Sequence, residues 1–590
     1  MFAKSGDYPK ALEVLSKINE EELEGEDLSY IARLHYLNND NDRALRYFEK
    51  QRDKKWFDYI YLGLIYEDLD QKNEAITAYK KSLRLNKNTI SLIRLGKIYR
   101  DQDKLLEAAD CFKDVLIFDS SQRLVNVYLG ECFLRLEDYK QAYNYLSKAN
   151  LFYPQNKVIQ KQLTRTKEAL GQDFFKKKKD DKEIKRKSIK LSGYKPDCEA
   201  PLVKVGLGVG LGEFTFSSGA KFIATDEKSQ FKGKAGVFYT LRIKDGKLAI
   251  FDSKSGLLIM SFSDDLSISS TPEEDGIYPF SVLDVVYGSG DFWHKTIDRV
   301  YKGELKALRK SGKITLINIL GSEDYLKGVL SAEIPANSSQ EALRAQAIAA
   351  RSLIFKNKGR HKSLGFDFCS DVHCQSYRGQ LAQTPSTDKA VDDTRGIIMV
   401  YENEPIEAFY HSNSGGCLAG DVFGEIAYLE SKLDYNQGDL PGTFADEQAW
   451  FFSAPESYSQ SFSHFRWQRI YDKEDLEIIL PEKLKSISIK NESDCFHLKE
   501  VEVETLSGTR NLSSGLKIRD YFDKLKSSSF KFELKTKEKK DVEMLIFWGA
   551  GFGHGSGMSQ QGAIAMANQG YDYSQILKHY YPKISFKNIY

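Results

Sequence analysis

An excess of either charge, a long apolar run and a regular cysteine framework are all missing from this chain. The 85 lysines and arginines against 84 aspartates and glutamates leave a formal charge of +1 over 590 residues, so no electrostatic footprint marks nucleic acid as a main partner. No apolar stretch approaches about 18 residues, the length a helix needs to cross a bilayer. The seven cysteines, Cys111, Cys132, Cys198, Cys369, Cys374, Cys417 and Cys495, are odd in number and scattered, which is unlike a disulfide framework and leaves the redox compartment open. Cys111 and Cys132 fall within helical repeats and read as small core residues. The glycines 549, 551, 553, 555 and 557 fit no G-x-G-x-x-G register and no Gly-Lys-Ser/Thr follows them, which excludes a nucleotide loop. No Gly-x-Ser-x-Gly surrounds Ser412 or Ser414, which argues against a serine nucleophile.

What the chain does contain is periodic at first and irregular later. Gly63, Tyr66, Ala75 and Tyr79 recur as Gly96, Tyr99, Ala108 and Phe112, then as Gly130, Phe133, Ala142 and Leu146, with Pro154 closing the last copy. The period is about 34 residues, that of a tetratricopeptide repeat. Small residues let paired helices approach and aromatics fill the space between neighbours, so residues 1–169 are expected to stack as an α-solenoid with a concave groove for a protein partner. The copy centred on Ala11 places Met1 inside its repeat's first helix, so further residues, including any secretion signal, are expected upstream. Residues 170–198, rich in lysine from Lys176 to Lys187, read as a solvated linker.

From Pro201 the texture changes to short alternating runs such as Val203–Leu207, Val237–Ile243 and Lys313–Ile319, broken by Gly, Asp and Ser. These are expected to be mostly antiparallel strands. A chain of this length holds roughly two to four domains.

Within the second region, Ser331–Ser352 (SAEIPANSSQEALRAQAIAARS) sets Glu333 immediately before an Ile-Pro break and then opens an alanine-rich helix, expected over 339–356. Ser338-x-x-Glu341 reads as its capping box. The helix has no wide polar face, so Gln346 and Arg351 must find partners inside the protein. A carboxyl group held at such a place can deliver a proton to a leaving oxygen if desolvation keeps it protonated. It can equally be a helix-end carboxylate satisfied by backbone amides or by an arginine such as Arg351.

Together with Tyr301-Lys302-Gly303, the run EDYLKGV from Glu323 to Val329, AFYHSNSGG from Ala408 to Gly416 and GFGHGSGMSQQGA from Gly551 to Ala563, this segment resembles the SpoIID/LytB family of bacterial cell-wall enzymes. The likeness covers roughly residues 199–585 and is densest at 298–416 and 547–582. It implies an α+β catalytic domain after the solenoid, acting as a peptidoglycan lytic transglycosylase on glycan strands stripped of stem peptides and leaving 1,6-anhydro-N-acetylmuramic acid ends. Glu333 would be the acid, with Gln346, Arg351, His411, Ser412, Ser414, His554 and Gln560 as the substrate shell. Arg351 should then not touch Glu333, because a paired cation would hold it ionised.

The resemblance also implies a place in the cell envelope, outside the cytoplasmic membrane, and no cofactor for the chemistry. A non-catalytic peptidoglycan-binding scaffold and a glycan hydrolase are the rival readings. Cys369, His373 and Cys374 suit a structural zinc, as in some members of the family, with a fourth ligand from His361, His411 or Cys417; a reduced pair or a Cys369–Cys374 disulfide are the alternatives. In place of the family's frequent tryptophan-proline this chain has Ser338-Ser339. Because repeats and strands read as separately cored, a fragment without residues 1–170 is expected to stay active.

Overall fold

The structure is a computed structural model of the chain and describes residues 6–18, 23–187, 191–197, 199–288, 291–435, 440, 449–453, 455–537 and 541–590; Cys198 lies outside them. Four helical hairpins follow one another: Gly25–Leu37 with Asn41–Lys50, Trp56–Asp68 with Lys72–Leu85, Thr89–Asp101 with Leu105–Phe118, and Val125–Arg135 with Tyr139–Phe152. The helix Tyr8–Leu15 precedes them and Lys157–Lys187 follows. The repeated small residues do what their spacing predicts. A Cβ on Gly63 would stand 2.5 Å from the Tyr79 ring, one on Gly96 2.5 Å from Phe112, and one on Gly130 2.6 Å from Leu146. The turn inside each hairpin carries a left-handed residue, Asn39, Asp70, Asp103 and Glu137 in order.

The lysine-rich stretch departs from expectation. It continues as helix to Lys187, interrupted only at Gly171, whose φ of 69° leaves the helical region. Nor do the compact units follow the expected boundaries. One comprises residues 1–174 and 411–562, the other residues 175–410 and 563–590. The solenoid therefore shares a unit with a later part of the chain instead of standing alone.

The reason is visible in the hairpins, whose polar residues are spent on the sheet formed by Arg466–Asp472, Asp541–Ala550 and Phe530–Lys537 and on the segments beside it. Arg94 reaches Asp472 at 2.6 Å, and Lys97 binds Asp472 at 2.7 Å and Asp475 at 2.5 Å. Asp119 receives Arg469 at 2.5 Å and Lys526 at 3.0 Å, all three side chains being at most 3% exposed. Tyr128 donates to Asp475 at 2.6 Å, Tyr153 to Asp523 at 2.8 Å, and Tyr61 to Glu533. Apolar packing accompanies the polar set, with Phe57 and Phe452 ring centroids 4.3 Å apart and Trp56 beside Trp548. The expected docking groove for another protein is thus filled by this chain's own residues. Charges of this kind cost several kilocalories each to bury alone and survive only because partners meet them.

In the other unit, six of the strands between Leu202 and Gly321 form an antiparallel sheet that Phe368–Cys369 completes as a seventh, parallel edge strand, and six more form a second antiparallel sheet. The two share an aromatic core in which Phe222 of the first meets Phe216, Tyr239 and Phe280 of the second at 5.5, 5.5 and 6.0 Å. The last strand of the large sheet, Lys313–Gly321, runs straight into the helix Ser322–Glu333. The alanine-rich helix follows as Gln340–Lys356, close to the expected span. Its cap differs from expectation: Ser339 is the N-cap and makes no side-chain bond. Glu341 turns instead to Arg344 at 2.5 Å and the Tyr573 N–H at 2.9 Å.

Candidate functional site

Glu333 is the last residue of the helix Ser322–Glu333. The Ile334-Pro335 pair ends the helix there, since the residue before a proline is pushed out of helical geometry; Ile334 is extended, with φ −134° and ψ 144°. The carboxyl group is half-buried, and the Ser376 N–H donates to its Oε1 at 2.6 Å. The buried Tyr325 and the half-buried Tyr410 sense its charge. Burial first, then the neighbouring cysteines and Glu333, pushes the Tyr325 hydroxyl well up; burial and then Glu333 do the same for Tyr410. Both hydroxyls stay protonated.

The surrounding motif residues build this corner rather than line it. Arg351 is fully buried and takes Glu323 with two bonds of 2.7 and 2.8 Å, spending further donors on the carbonyls of Val391 and Ile397. Glu323 also accepts from the Tyr590 hydroxyl. Lys302 holds Asp324 at 2.8 Å, and a Cβ on Gly328 would sit 2.6 Å from the Tyr377 ring. As expected, Arg351 does not pair with Glu333. Its burial, and that of Gln346 at 0% exposure, correct the assignment of both to a substrate shell, because neither presents an atom to a ligand.

Two residues before Ser376 lies the cluster of His361, Cys369, His373 and Cys374, whose ligand atoms all fall within 4.8 Å of one another. His361 Nε2 is 3.2 Å from Cys374 Sγ, and His373 Nδ1 is 3.6 Å from Cys374 Sγ and 3.8 Å from Cys369 Sγ. Four ligands around one zinc stand roughly 3.3–3.8 Å apart, given bonds of about 2.0–2.3 Å in a tetrahedron. Of the three expected sources of a fourth ligand, the fold supplies His361. Cys417 goes elsewhere, forming a disulfide with Cys495, while Cys369 and Cys374 are not joined.

The other unit contains His411, Ser412, Ser414, His554 and Gln560. The loop 411–416 and the glycine ribbon lie against each other: Asn413 and Phe552 exchange backbone hydrogen bonds of 3.1 and 2.8 Å. Gly551, Gly553, Gly555 and Gly557 all have positive φ. A Cβ on Gly553 would strike His411 at 2.5 Å, and one on Gly555 would strike His497 at 2.2 Å. The ribbon is therefore glycine-rich to admit its own chain. Ser414 is likewise internal, 3% exposed and bonded to Asp434 at 2.5 Å. His411 is 4% exposed and donates from Nδ1 to the Ser556 carbonyl at 3.0 Å. Ser412 and His554 are half-buried, and Gln560 is buried.

Three histidines of this unit, His411 and His497 buried and His464 half-buried, are held neutral by desolvation. Burial pulls His411 down to about 4; burial and then Lys526 bring His464 to about 4; burial and then His411 bring His497 to about 3. Each has a folded value below the ordinary 6.5. The unfolded chain therefore binds more protons below about pH 6.5, and the stability these residues contribute is present above that pH and lost as pH falls towards 4 and 3. Thermal unfolding followed from pH 7.5 to 4.5 should show a falling melting temperature for this unit; a flat profile would contradict the burial of these rings.

Ser376, Tyr410, Tyr325, Glu323 and His361 were not singled out by sequence as members of the acid's surroundings. Glu323 and Tyr325 sit in a recognisable motif and were findable. Ser376 acts through its backbone N–H, so its side chain carries no signal.

These features define a protein that joins tetratricopeptide hairpins to a sheet-rich region with a carboxyl group and a thiolate–imidazole cluster. A tetratricopeptide repeat profile matches residues 59–89, a family described as stage II sporulation protein, SpoIID, matches 310–401, and a domain described only as of unknown function matches 424–557, the span that supplies most of the groove filling. An uncharacterized protein of Brachyspira hyodysenteriae is 30% identical over 288 residues, 48% of this chain and 70% of that one. Stage II sporulation protein D of Bacillus amyloliquefaciens is 29% identical, over 44% of this chain and 72% of its own length. The amidase enhancer of Bacillus subtilis is also 29% identical, but the chain spans only 39% of its length. The chain belongs to the SpoIID family and carries tetratricopeptide repeats. Among the described residues no helix is long and apolar enough to cross a membrane.

Proposed function

We propose that this protein is a peptidoglycan lytic transglycosylase acting on glycan strands without stem peptides, with Glu333 as its acid and base. The observation that carries the reading is Glu333 itself, a half-buried carboxyl group at a helix end, oriented by the Ser376 N–H at 2.6 Å and kept clear of Arg351 by the Arg351–Glu323 pair.

In the proposed reaction the Glu333 carboxyl gives its proton to the glycosidic oxygen as the C1–O bond breaks. The 6-hydroxyl of the same N-acetylmuramic acid then forms the new bond to C1, and its proton returns to Glu333. No water is consumed, and the intramolecular nucleophile makes a second protein carboxylate unnecessary. Mass spectrometry of products from denuded glycan tests this: anhydro ends support it, reducing ends make the enzyme a hydrolase, and intact strands make the protein a binding scaffold. The stage II sporulation and amidase enhancer relatives support a cell-wall role. The Cys417–Cys495 disulfide supports an oxidising, extracytoplasmic location, where such bonds persist.

We further propose that His361, Cys369, His373 and Cys374 hold a structural zinc. The ion would supply folding free energy, since ligand positions far apart in sequence must converge to bind it. It would also fix the segment leading to Ser376, two residues after Cys374. Elemental analysis of anaerobically purified protein should give about one zinc per chain. Cys374→Ser should lower both zinc content and melting temperature, and should reduce cleavage as well, because the Ser376 N–H is no longer anchored. A stoichiometry near zero would remove the metal.

A further inference from the structure

The buried arginines described so far are well matched. Arg351 takes Glu323 and Arg469 takes Asp119. Arg466 pairs with no carboxylate among the described residues, but it donates to the carbonyls of Trp450, Ser453, Gly415 and Phe465 at 3.1, 3.0, 2.8 and 2.9 Å. Arg299 and Arg378, both in the unit that holds Glu333, are treated differently. Arg299 lies on the strand Lys295–Tyr301, is 6% exposed, and donates from Nη1 to the Arg378 carbonyl at 3.2 Å. Arg378 is half-buried; its Nη2 reaches the Tyr287 hydroxyl at 3.4 Å, and its Nε is buried without an acceptor. Both guanidinium groups stand 5.3 Å from the centre of the Tyr287 ring. Among the described residues no carboxylate pairs with either one. Burial holds Arg299 below the ordinary guanidinium range, and the charge of Arg378 lowers it further. The nearby acids are used in other ways: Asp371 accepts the N–H groups of Gly288 and Val372 at 3.2 and 2.8 Å, Asp298 accepts that of Asp284 at 2.9 Å, and Asp291 is engaged as well. Two like charges set side by side and partly desolvated cost free energy, which an anion placed between them offsets.

The pair belongs to the segment that holds the acid. The Ser376 N–H donates to Glu333 at 2.6 Å, and the Arg378 N–H donates to the Gly328 carbonyl at 3.1 Å. Gly328 precedes Glu333 on the same helix by about 7.5 Å of axial rise. We propose that Arg299 and Arg378 bind the free carboxylate on the lactyl ether of N-acetylmuramic acid, an assignment that rests on the proposed action on glycan strands. Where a stem peptide is attached, that carboxyl group is an amide and carries no charge. In a stripped strand it is a carboxylate, which guanidinium groups take through short, charge-assisted and commonly bidentate hydrogen bonds. The carboxylate relieves the repulsion between the two cations, whereas the amide leaves both uncompensated. The pair thereby selects stripped strands by what it rejects as well as by what it holds.

The test uses the full chain carrying Glu333→Gln, so that ligand is not consumed. Calorimetry compares two probes: denuded glycan, and the same glycan with its lactyl carboxylates converted to methylamides. The parent should bind the denuded form at least about tenfold more tightly, as expected for a charge-assisted contact. Adding Arg378→Gln or Arg299→Gln should weaken binding of the denuded form about tenfold and leave the methylamide form unchanged, so that the preference disappears. Each change removes a charge that repels its neighbour, so the melting temperature should hold or rise. If both variants melt lower and lose the two forms alike, the arginines are structural and the proposal is wrong. Equal binding of the two forms by the parent overturns it while glycan binding stands; inorganic phosphate that then binds the parent, and not the variants, would make the pair a phosphate site. A preference retained in both variants overturns it too, because the carboxylate is then read elsewhere. If the parent binds neither form, the glycan-directed function fails and the carboxylate site falls with it.

Discussion

Glu333→Gln should leave the fold and glycan binding intact and reduce cleavage by about 10²–10⁴, the range a positioned acid–base group supplies. The amide is nearly isosteric, and its oxygen can accept the Ser376 N–H that now reaches Oε1 at 2.6 Å. What it cannot do is give up a proton to a glycosidic oxygen. The variant should melt with the wild type and still sediment with denuded glycan. Near-normal turnover by the purified variant, with anhydro products, would remove Glu333 from the chemistry. A variant that loses fold and activity together would make the carboxylate a structural cap, the alternative left open by the sequence.

Deleting residues 1–170 should prevent the remainder from reaching a native state. This reverses the expectation drawn from the repeats, and the reversal follows from where the charges go. Without the solenoid, Arg469 and Lys526 lose Asp119, Asp475 loses Lys97 and Tyr128, and Asp523 loses Arg123 and Tyr153. Trp548 and Phe452 lose their aromatic cover. Stranding one member of a buried pair costs about 3–5 kcal/mol, and a whole domain is stable by about 5–15 kcal/mol. The fragment 171–590 should therefore be insoluble or lack near-ultraviolet circular dichroism. In the full chain, Asp119→Ala alone should lower stability by about 3–5 kcal/mol, measured by denaturant unfolding. A soluble, cooperatively folding fragment that cleaves glycan would show that the groove contacts are dispensable.

Some of this protein was written in local spacing. The recurrence of Gly63, Gly96 and Gly130 opposite Tyr79, Phe112 and Leu146 is a pattern within one hairpin, so the solenoid could be read residue by residue. The same holds for the alanine-rich helix, found as Gln340–Lys356, and for the break at Ile334-Pro335 that ends a helix on Glu333. The motif Glu323–Val329 carried part of the family likeness, although its physical logic, Glu323 buried against Arg351 28 positions further on, needed the fold.

Other features depended on partners that no short window contains. The glycine ribbon looked open to a ligand because sequence shows the missing side chains but not the loop 411–416 that occupies their place. Cys417 and Cys495 are 78 positions apart, and nothing near either one names the other. His361 joins the thiols only because the chain turns back beside the strand Phe368–Cys369. The groove was the largest surprise of this kind. Repeat periodicity fixes the shape of a solenoid and the polarity of its inner face, because both arise from contacts between neighbouring helices. Which surface fills that face is a matter of long-range complementarity, and here residues hundreds of positions downstream place Asp472, Asp475, Arg469 and Lys526 opposite Arg94, Lys97 and Asp119. Sequence alone thus determined the elements and the glutamate proposed as the acid, while tertiary structure decided their partners, since burying a charge is tolerated only where folding delivers its counter-charge.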